Sequence, residues 1–470
     1  MQEHLDGARL KTFVDEHFES ALGPLAEYVR VPCLSPAFDE DWADRGELRR
    51  AARLLAEWAA ARAVPGLVVD LVELPGRTPV VLAEAPGSQS SAPTVLVYGH
   101  LDKQPPLGEW APGLGPFEPV RRGDRLYGRG TGDDGYAVFA ALLALEATAA
   151  LGAGRPRVVV LIEGSEESGS PDLEAYLDKL APHLERPVLV VCLDSGCLTW
   201  DRLWVTTSLR GALLCDLRVE VLTEGVHSGL AGGVVPSSFR LLRQLLSRVE
   251  DERTGELLLP ELHVPLPEAE RRRIEDLADE FGEADDLPVV PGLVLPAPAD
   301  RLRRKAWEPA LAVTGIDGVP STGQAGNVLR PFTTVRLSVR IPPGCDAAAA
   351  GRALVDALTH DPPEGARVTA QLAAPADGWL APEPAPFVTA ALDAASLAAF
   401  DRPAMSYGEG GTIPFLAALG RRFPGVQLVA TGVLGPESNA HGPNEFLHVP
   451  MAKAVTAATA QLLVAAAGQG

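Results

Sequence analysis

Three runs decide the fold: TVLVYGH (94–100), RVVVLIEG (157–164) and PVLVVCLDSG (187–196). Each is short, rich in Val, Leu and Ile, and apolar without alternation, the pattern of a strand covered on both faces. Helical patterns at Ala137 to Leu151 and Pro171 to Leu180 separate them. The segment therefore reads as an α/β sheet with crossover helices. Around Thr206 the texture changes. LLCDLRVEVL (213–222) and FTTVRLSVRIPP (332–343) alternate, and a helical, acidic stretch lies between them from Phe239 to Asp286. Alternation with one solvated face predicts a separate, mostly antiparallel α+β domain. A Pro-rich stretch, APADGWLAPEPAP (374–386), marks its end. Beyond it the α/β texture returns, with a helix from Phe387 to Phe400, a strand in VQLVATGVL (426–434) and an Ala-rich final helix. The expected organisation is an α/β domain built from residues 1–205 and 384–470, interrupted by an inserted domain at 206–383.

Charge narrows the function. The 470 residues carry 41 Lys+Arg against 62 Asp+Glu, so 41 − 62 = −21. Such a chain repels phosphate backbones unless a basic patch is concentrated somewhere, and the longest basic cluster, Arg301 to Lys305, is short. Nucleic acid is excluded as an expected partner. The charged N-terminus has no apolar core of a signal peptide, and no apolar run reaches the ~18 residues that span a bilayer. Residues 454–467 come nearest and read as a buried helix. The five cysteines (Cys33, Cys192, Cys197, Cys215, Cys345) show no CxxC spacing. That argues against a disulfide framework and a thiolate zinc site, and the expected location is cytoplasmic with no membrane partner.

In open α/β sheets ligands bind beyond the carboxyl ends of the strands. Here those ends carry His100-Leu101-Asp102, then Ser165-Glu166-Glu167, then Asp194 and, through a Gly/Pro/Ser loop, His441. One polar residue after a strand is ordinary. Four strand ends offering imidazole or carboxylate are harder to attribute to chance, and this donor set suits a catalytic Zn, Mn or Co site. Adjacent Glu166 and Glu167 point in different directions, so one can ligate while the other acts on substrate. Gly130 to Gly135 formally matches GxGxxG, but Asp133 and Asp134 would place two negative charges where a pyrophosphate must sit, so a nucleotide site is rejected. GxSxG, GxxxxGK[ST] and HExxH do not occur.

Taken in order, GHLD, YGRGTGDD, EGSEESGS, CLDSG, VHSG and NAHGPNE resemble the dinuclear metallopeptidases that include carnosinases, cytosolic nonspecific dipeptidase, desuccinylases and aminoacylase-like enzymes. The likeness is closest to the carnosinase and nonspecific dipeptidase branch and spans nearly the whole chain. It implies a zinc-peptidase-like catalytic domain, a mixed sheet flanked by helices, with the α+β insert as lid and dimerisation domain. It implies two divalent ions per subunit, Zn or alternatively Mn or Co, held by His100, Asp133, Glu167, Asp194 and His441, with Asp133 bridging. Asp102 would orient His100, and Glu166 would be the general base and acid. His227 of VHSG would reach into a partner's site across a homodimer. Arg340 in SVRIPPG would clamp the substrate carboxylate, with Asn327 thirteen residues before it. Glu409, Gly411 and Thr412 would form the loop that holds the substrate ends. The implied reaction is hydrolysis of dipeptides or other short peptides. The alternatives are deacylation or desuccinylation of N-acyl amino acids and, from another class, a non-catalytic peptide-binding relative. One departure stands out: the branch commonly reads Asp-Asp-Lys-Gly where this chain has Asp133-Asp134-Gly135-Tyr136. Metal binding keeps its Asp, whereas the neighbouring loop and substrate preference are affected.

Overall fold

The computed structural model describes residues 5–281, 289–373, 375–411 and 413–469. The three apolar runs lie side by side as parallel strands, in the order Arg157–Glu163, Thr94–His100, Pro187–Cys192, followed by Gln427–Ala430, also parallel. Val80–Ala85 and Val68–Val72 extend one edge antiparallel. Trp204–Leu209 extends the other, flanked by Trp379–Leu380 (antiparallel) and Met405–Glu409 (parallel). The result is the expected mixed sheet.

Strand alternation sorts the side chains between two cores. Val95, Val97, Val158, Val160 and Val191 face a layer that includes the helices Gly7–Val29, Tyr136–Ala150 and Val449–Ala467. Leu96, Tyr98, Val159, Leu161 and Val190 face the helices Leu173–Lys179 and Pro414–Arg422. Tyr136–Ala150 is apolar on nearly every side because it lies between the sheet and outer helices. The helix Val449–Ala467 is long and apolar enough to cross a membrane, yet most of its length is buried in this core.

The second sheet is four-stranded and antiparallel, in the order Ala310–Asp317, Phe332–Ile341, Gly211–Glu220, Arg367–Leu372. One face carries Leu213, Leu217, Val335, Leu337 and Val339 against the helices Ser238–Leu246 and Ala347–Thr359, forming a core of its own. The change of texture near Thr206 falls inside a strand of the large sheet, and the second sheet starts at Gly211. The acidic stretch between the alternating strands is not one helix. Its second part, the helix Glu268–Phe281, packs with Leu277 in the large sheet's core, and Arg273 Nη1 donates to Thr207 Oγ1 at 3.3 Å. Chain from within the insert thus helps to cover the large sheet.

Separate cores make separable stability. Leu337→Ala, at a fully buried insert position, should cost about 2–5 kcal/mol by cavity formation. Hydrogen exchange is expected to accelerate in the second sheet while the Thr94–His100 and Pro187–Cys192 amides keep their protection; equal acceleration in both would refute independent cores.

Candidate metal centre

The parallel strands deliver their C-terminal residues to one edge. His100 is the last residue of its strand, in register with Glu163, and Glu166 and Glu167 follow three and four residues later. Asp194 follows the strand Pro187–Cys192. Asp133 sits in the turn Thr131–Gly135 that starts the helix Tyr136–Ala150, and His441 lies on the loop after Gln427–Ala430.

These residues form two groups that share one member. His100, Asp133 and Asp194 make the first, and Asp133, Glu167 and His441 the second, each with donor atoms close enough to hold a cation. Asp133 Oδ1 lies 3.2 Å from His100 Nε2, and Asp133 Oδ2 lies 3.0 Å from His441 Nε2. His441 Nε2 is also 3.3 Å from Glu167 Oε2, and His100 Nε2 is 3.8 Å from Asp194 Oδ2. The first group is buried; in the second, Glu167 is half-buried and His441 exposed.

Asp102 organises both groups. One of its oxygens is 3.5 Å from His100 Nδ1, which fixes the ring so that Nε2 faces Asp133. Its two oxygens also accept the backbone N–H groups of Glu166 and Glu167 at 3.1 and 3.0 Å. The Glu166 carboxylate accepts no hydrogen bond from a described residue and remains available for proton transfer.

The electrostatics call for cations. Burial, reinforced by the charges of Asp194, Glu167 and Asp102, holds Glu166 well above the usual carboxylate range. Burial also pushes Asp194 up to about 7: His100 opposes the rise, and Asp133, Glu167 and Glu409 add to it. Burial works against a charged His441, but Asp133 and Glu167 push it up to about 11. Acids that crowd together in this way take up protons or divalent cations, and mixed imidazole and carboxylate donors fit the latter.

Several supporting residues were not singled out from the sequence. Gln104 Nε2 donates to Glu167 Oε2 at 2.7 Å and aims that carboxylate. The Lys103 ammonium is buried and donates to the carbonyls of Tyr28, Val29 and Val31 at 3.0, 3.1 and 2.8 Å. It thereby caps the negative end of the helix Gly7–Val29. Tyr28 Oη donates to Leu101 O at 2.8 Å, so this helix end braces the His100–Asp102 loop. The Gly135 departure follows from the same packing: a Cβ there would overlap the Tyr28 ring and the Gly130 carbonyl. Arg129 and Glu445 form a buried ion pair, and both lie inside motifs already quoted. Their presence in YGRGTGDD and NAHGPNE was the available signal.

The substrate candidates are spread more widely. Glu409 is held by Ser195 Oγ at 3.1 Å and by Thr206 Oγ1 and Tyr407 Oη at 3.3 Å each, next to the Asp194 loop. Gly411 is exposed, and Thr412 lies outside the described residues. Arg340 is half-buried on the second sheet, where burial lowers its pKa. His227 and Asn327 are both exposed near the ribbon formed by Val226–His227 and Val328–Leu329. Among the described residues no hydrogen bond or ion pair joins either of them to the cation-binding groups.

A mixed sheet with a shared-carboxylate centre at its strand ends, plus an α+β insert, defines a metallopeptidase-type hydrolase. The chain belongs to the peptidase family M20/M25/M40, whose model matches residues 96–465. It is similar to the cysteinylglycine-S-conjugate dipeptidase of Corynebacterium striatum, 28% identical over 77% of this chain and 80% of that protein. It is also similar to the mouse (Mus musculus) Beta-Ala-His dipeptidase, 27% identical over 56% of this chain, a match spanning 54% of that enzyme's length. Among solved structures, the dipeptidase Dug1p from Saccharomyces cerevisiae superposes with a TM-score of 0.80 over 98% of this chain and 99% of that one. At 22% identity that likeness is one of fold.

Cation binding should release protons. Ligating groups must be deprotonated, while in the cation-free protein at pH 7 His441 (about 11) is charged and Asp194 (about 7) is partly protonated. Adding Zn or Mn at pH 7 is therefore expected to acidify a weakly buffered solution, more so as the pH falls through 7. His441→Ala should remove about one released proton; pH-stat titration showing no release would contradict this charge assignment.

Proposed function

We propose that this protein is a metal-dependent dipeptidase that hydrolyses short peptides. The observation that carries the reading is the Asp133 carboxylate, presented to two imidazoles by its two oxygens, with the Glu166 backbone held by the same Asp102 carboxylate that lies against His100. Named dipeptidases among the relatives support it. Divalent cations held by His100, Asp133, Asp194, Glu167 and His441 supply Lewis acidity and a water whose pKa falls toward ~7. We take Zn as the resident ion, with Mn or Co accepted by the same donors.

The chain's own residues then divide the work. Glu166, whose carboxyl is held by burial above the usual carboxylate range, accepts a proton from the attacking water and returns it to the leaving amine. Asp102 keeps His100 oriented. Arg340 receives the substrate's C-terminal carboxylate, and Asn327 supports that end. Glu409 with Gly411 and Thr412 belongs to the loop that holds the substrate ends.

His227 acts in the partner's site of a homodimer, stabilising the oxyanion. Its exposure supports this, since among the described residues of its own chain the ring makes one hydrogen bond, accepting the Gly229 N–H at 3.0 Å. Apolar residues around it are also unburied: Leu230 is 82% exposed and Val234 83%. Val313 and Ile316 on the edge strand Ala310–Asp317 are exposed as well, as an interface between copies requires. A cytoplasmic location completes the proposal, supported by five cysteines that are all free and buried.

Two experiments test these roles. Glu166→Ala should lose ~10²–10⁴ in kcat on a dipeptide panel that includes Cys-Gly and β-Ala-His, with metal content unchanged; full activity would sink the assignment. N-acyl amino acids belong in the same panel, and faster turnover of these than of free dipeptides would make the enzyme a deacylase. For the trans role, mixed dimers of inactive His227→Ala and inactive Glu166→Ala chains should recover partial activity. No recovery in verified mixed dimers would count against it.

A further inference from the structure

We infer that the buried Arg129–Glu445 ion pair is a positioning clamp that holds His441 against the shared Asp133 carboxylate and so shapes the outer cation group. The inference rests on the metal reading of those residues and concerns two side chains with no ligating role.

The pair reaches three loops at once. Arg129 Nη1 donates to Glu445 Oε2, and both side chains are almost wholly inaccessible to solvent. Arg129 Nη2 donates to Gly442 O at 2.9 Å, one residue after His441, and to Pro105 O at 3.3 Å, in the loop after His100 and Asp102. Glu445 Oε1 accepts the Gly130 N–H at 2.9 Å, and its backbone carbonyl accepts the Gly128 N–H at 3.0 Å. Gly130 opens the turn that carries Asp133. Its φ is +78°, and a Cβ there would press on the Lys103 stem, so that strand-to-helix turn is fixed from the other side too.

The His441 loop has reason to need a clamp. Glu437, Asn439, His441 and Asn444 all have φ between +52° and +65°, the left-handed region that side chains disfavour. Such conformations persist only where the surroundings over-determine them. His441 itself is exposed, and among the described residues it meets the rest of the centre through Asp133 and Glu167. The His100 group needs no such help, being carried by a central strand and by Asp102. The consequence is asymmetric: loss of the pair should affect the outer group and spare the inner one.

A buried ion pair replaced by apolar residues of similar volume is often neutral for stability, which separates positioning from mere packing. The test loads the full-length protein with Co(II) by calorimetric titration and follows thermal unfolding of the cation-free form. Arg129→Met/Glu445→Leu is expected to unfold within a few degrees of the parent, yet bind its second equivalent of Co(II) at least tenfold more weakly and its first within threefold. Glu445→Gln keeps the shape and one acceptor oxygen but puts an NH2 donor in place of the other, against a donor of Arg129 or Gly130. If the double variant does not fold, it decides the matter, with a smaller but selective loss of the second equivalent. Unchanged binding of both equivalents in a folded variant, or equal weakening of both, would overturn the clamp while leaving the metal centre standing. A parent protein that binds no divalent cation would overturn the metal reading itself, and the clamp with it.

Discussion

One carboxylate is the hinge of the site. Asp133 offers an oxygen to an imidazole at the end of a central strand and the other oxygen to an imidazole more than three hundred residues later in the chain. Nearly everything nearby serves that convergence. The parallel strands bring His100, Asp194 and the Glu166–Glu167 turn to one edge. Asp102 joins that edge internally by binding a ring nitrogen and two backbone amides with one carboxylate.

Convergence has an electrostatic consequence. Asp133, Glu167 and Asp194 together bring −3 into a largely buried space, and +4 from two divalent ions would nearly balance it. Without cations the imbalance appears as raised pKa values, Asp194 up to about 7 and Glu166 well above its usual range, with burial as the leading cause. The formal charge of −21 therefore has two parts. A few acids are concentrated in the interior, the donors at the strand ends among them, and most of the remainder is surface.

How much of this was legible follows from what sequence patterns report. Continuous apolar runs identified the central strands, because burial on both faces removes alternation, and carboxyl-terminal positions then exposed His100, Glu166, Glu167 and Asp194. Asp133 stood out less by position than through the motif around it, and His441 through both its motif and the strand end before its loop. Lys103, Arg129 and Glu445 were missed for a physical reason: such residues are mostly exposed, and burial of a charge depends on partners far away in the chain. Lys103 is held by carbonyls of the first helix, and Arg129 by a glutamate 316 residues on. The helix Glu268–Phe281, within the segment read as the insert, packs in the large sheet's core for a similar reason. Its amphipathic pattern says that one face is buried but not against which sheet.

The shared carboxylate is also the most direct place to test the account. Anomalous diffraction from crystals loaded with Mn or Zn should show two peaks ~3.5–4 Å apart, one beside each oxygen of Asp133, with His100 and Asp194 at the first and Glu167 and His441 at the second. A single fully occupied peak, or two peaks that do not share Asp133, would contradict it.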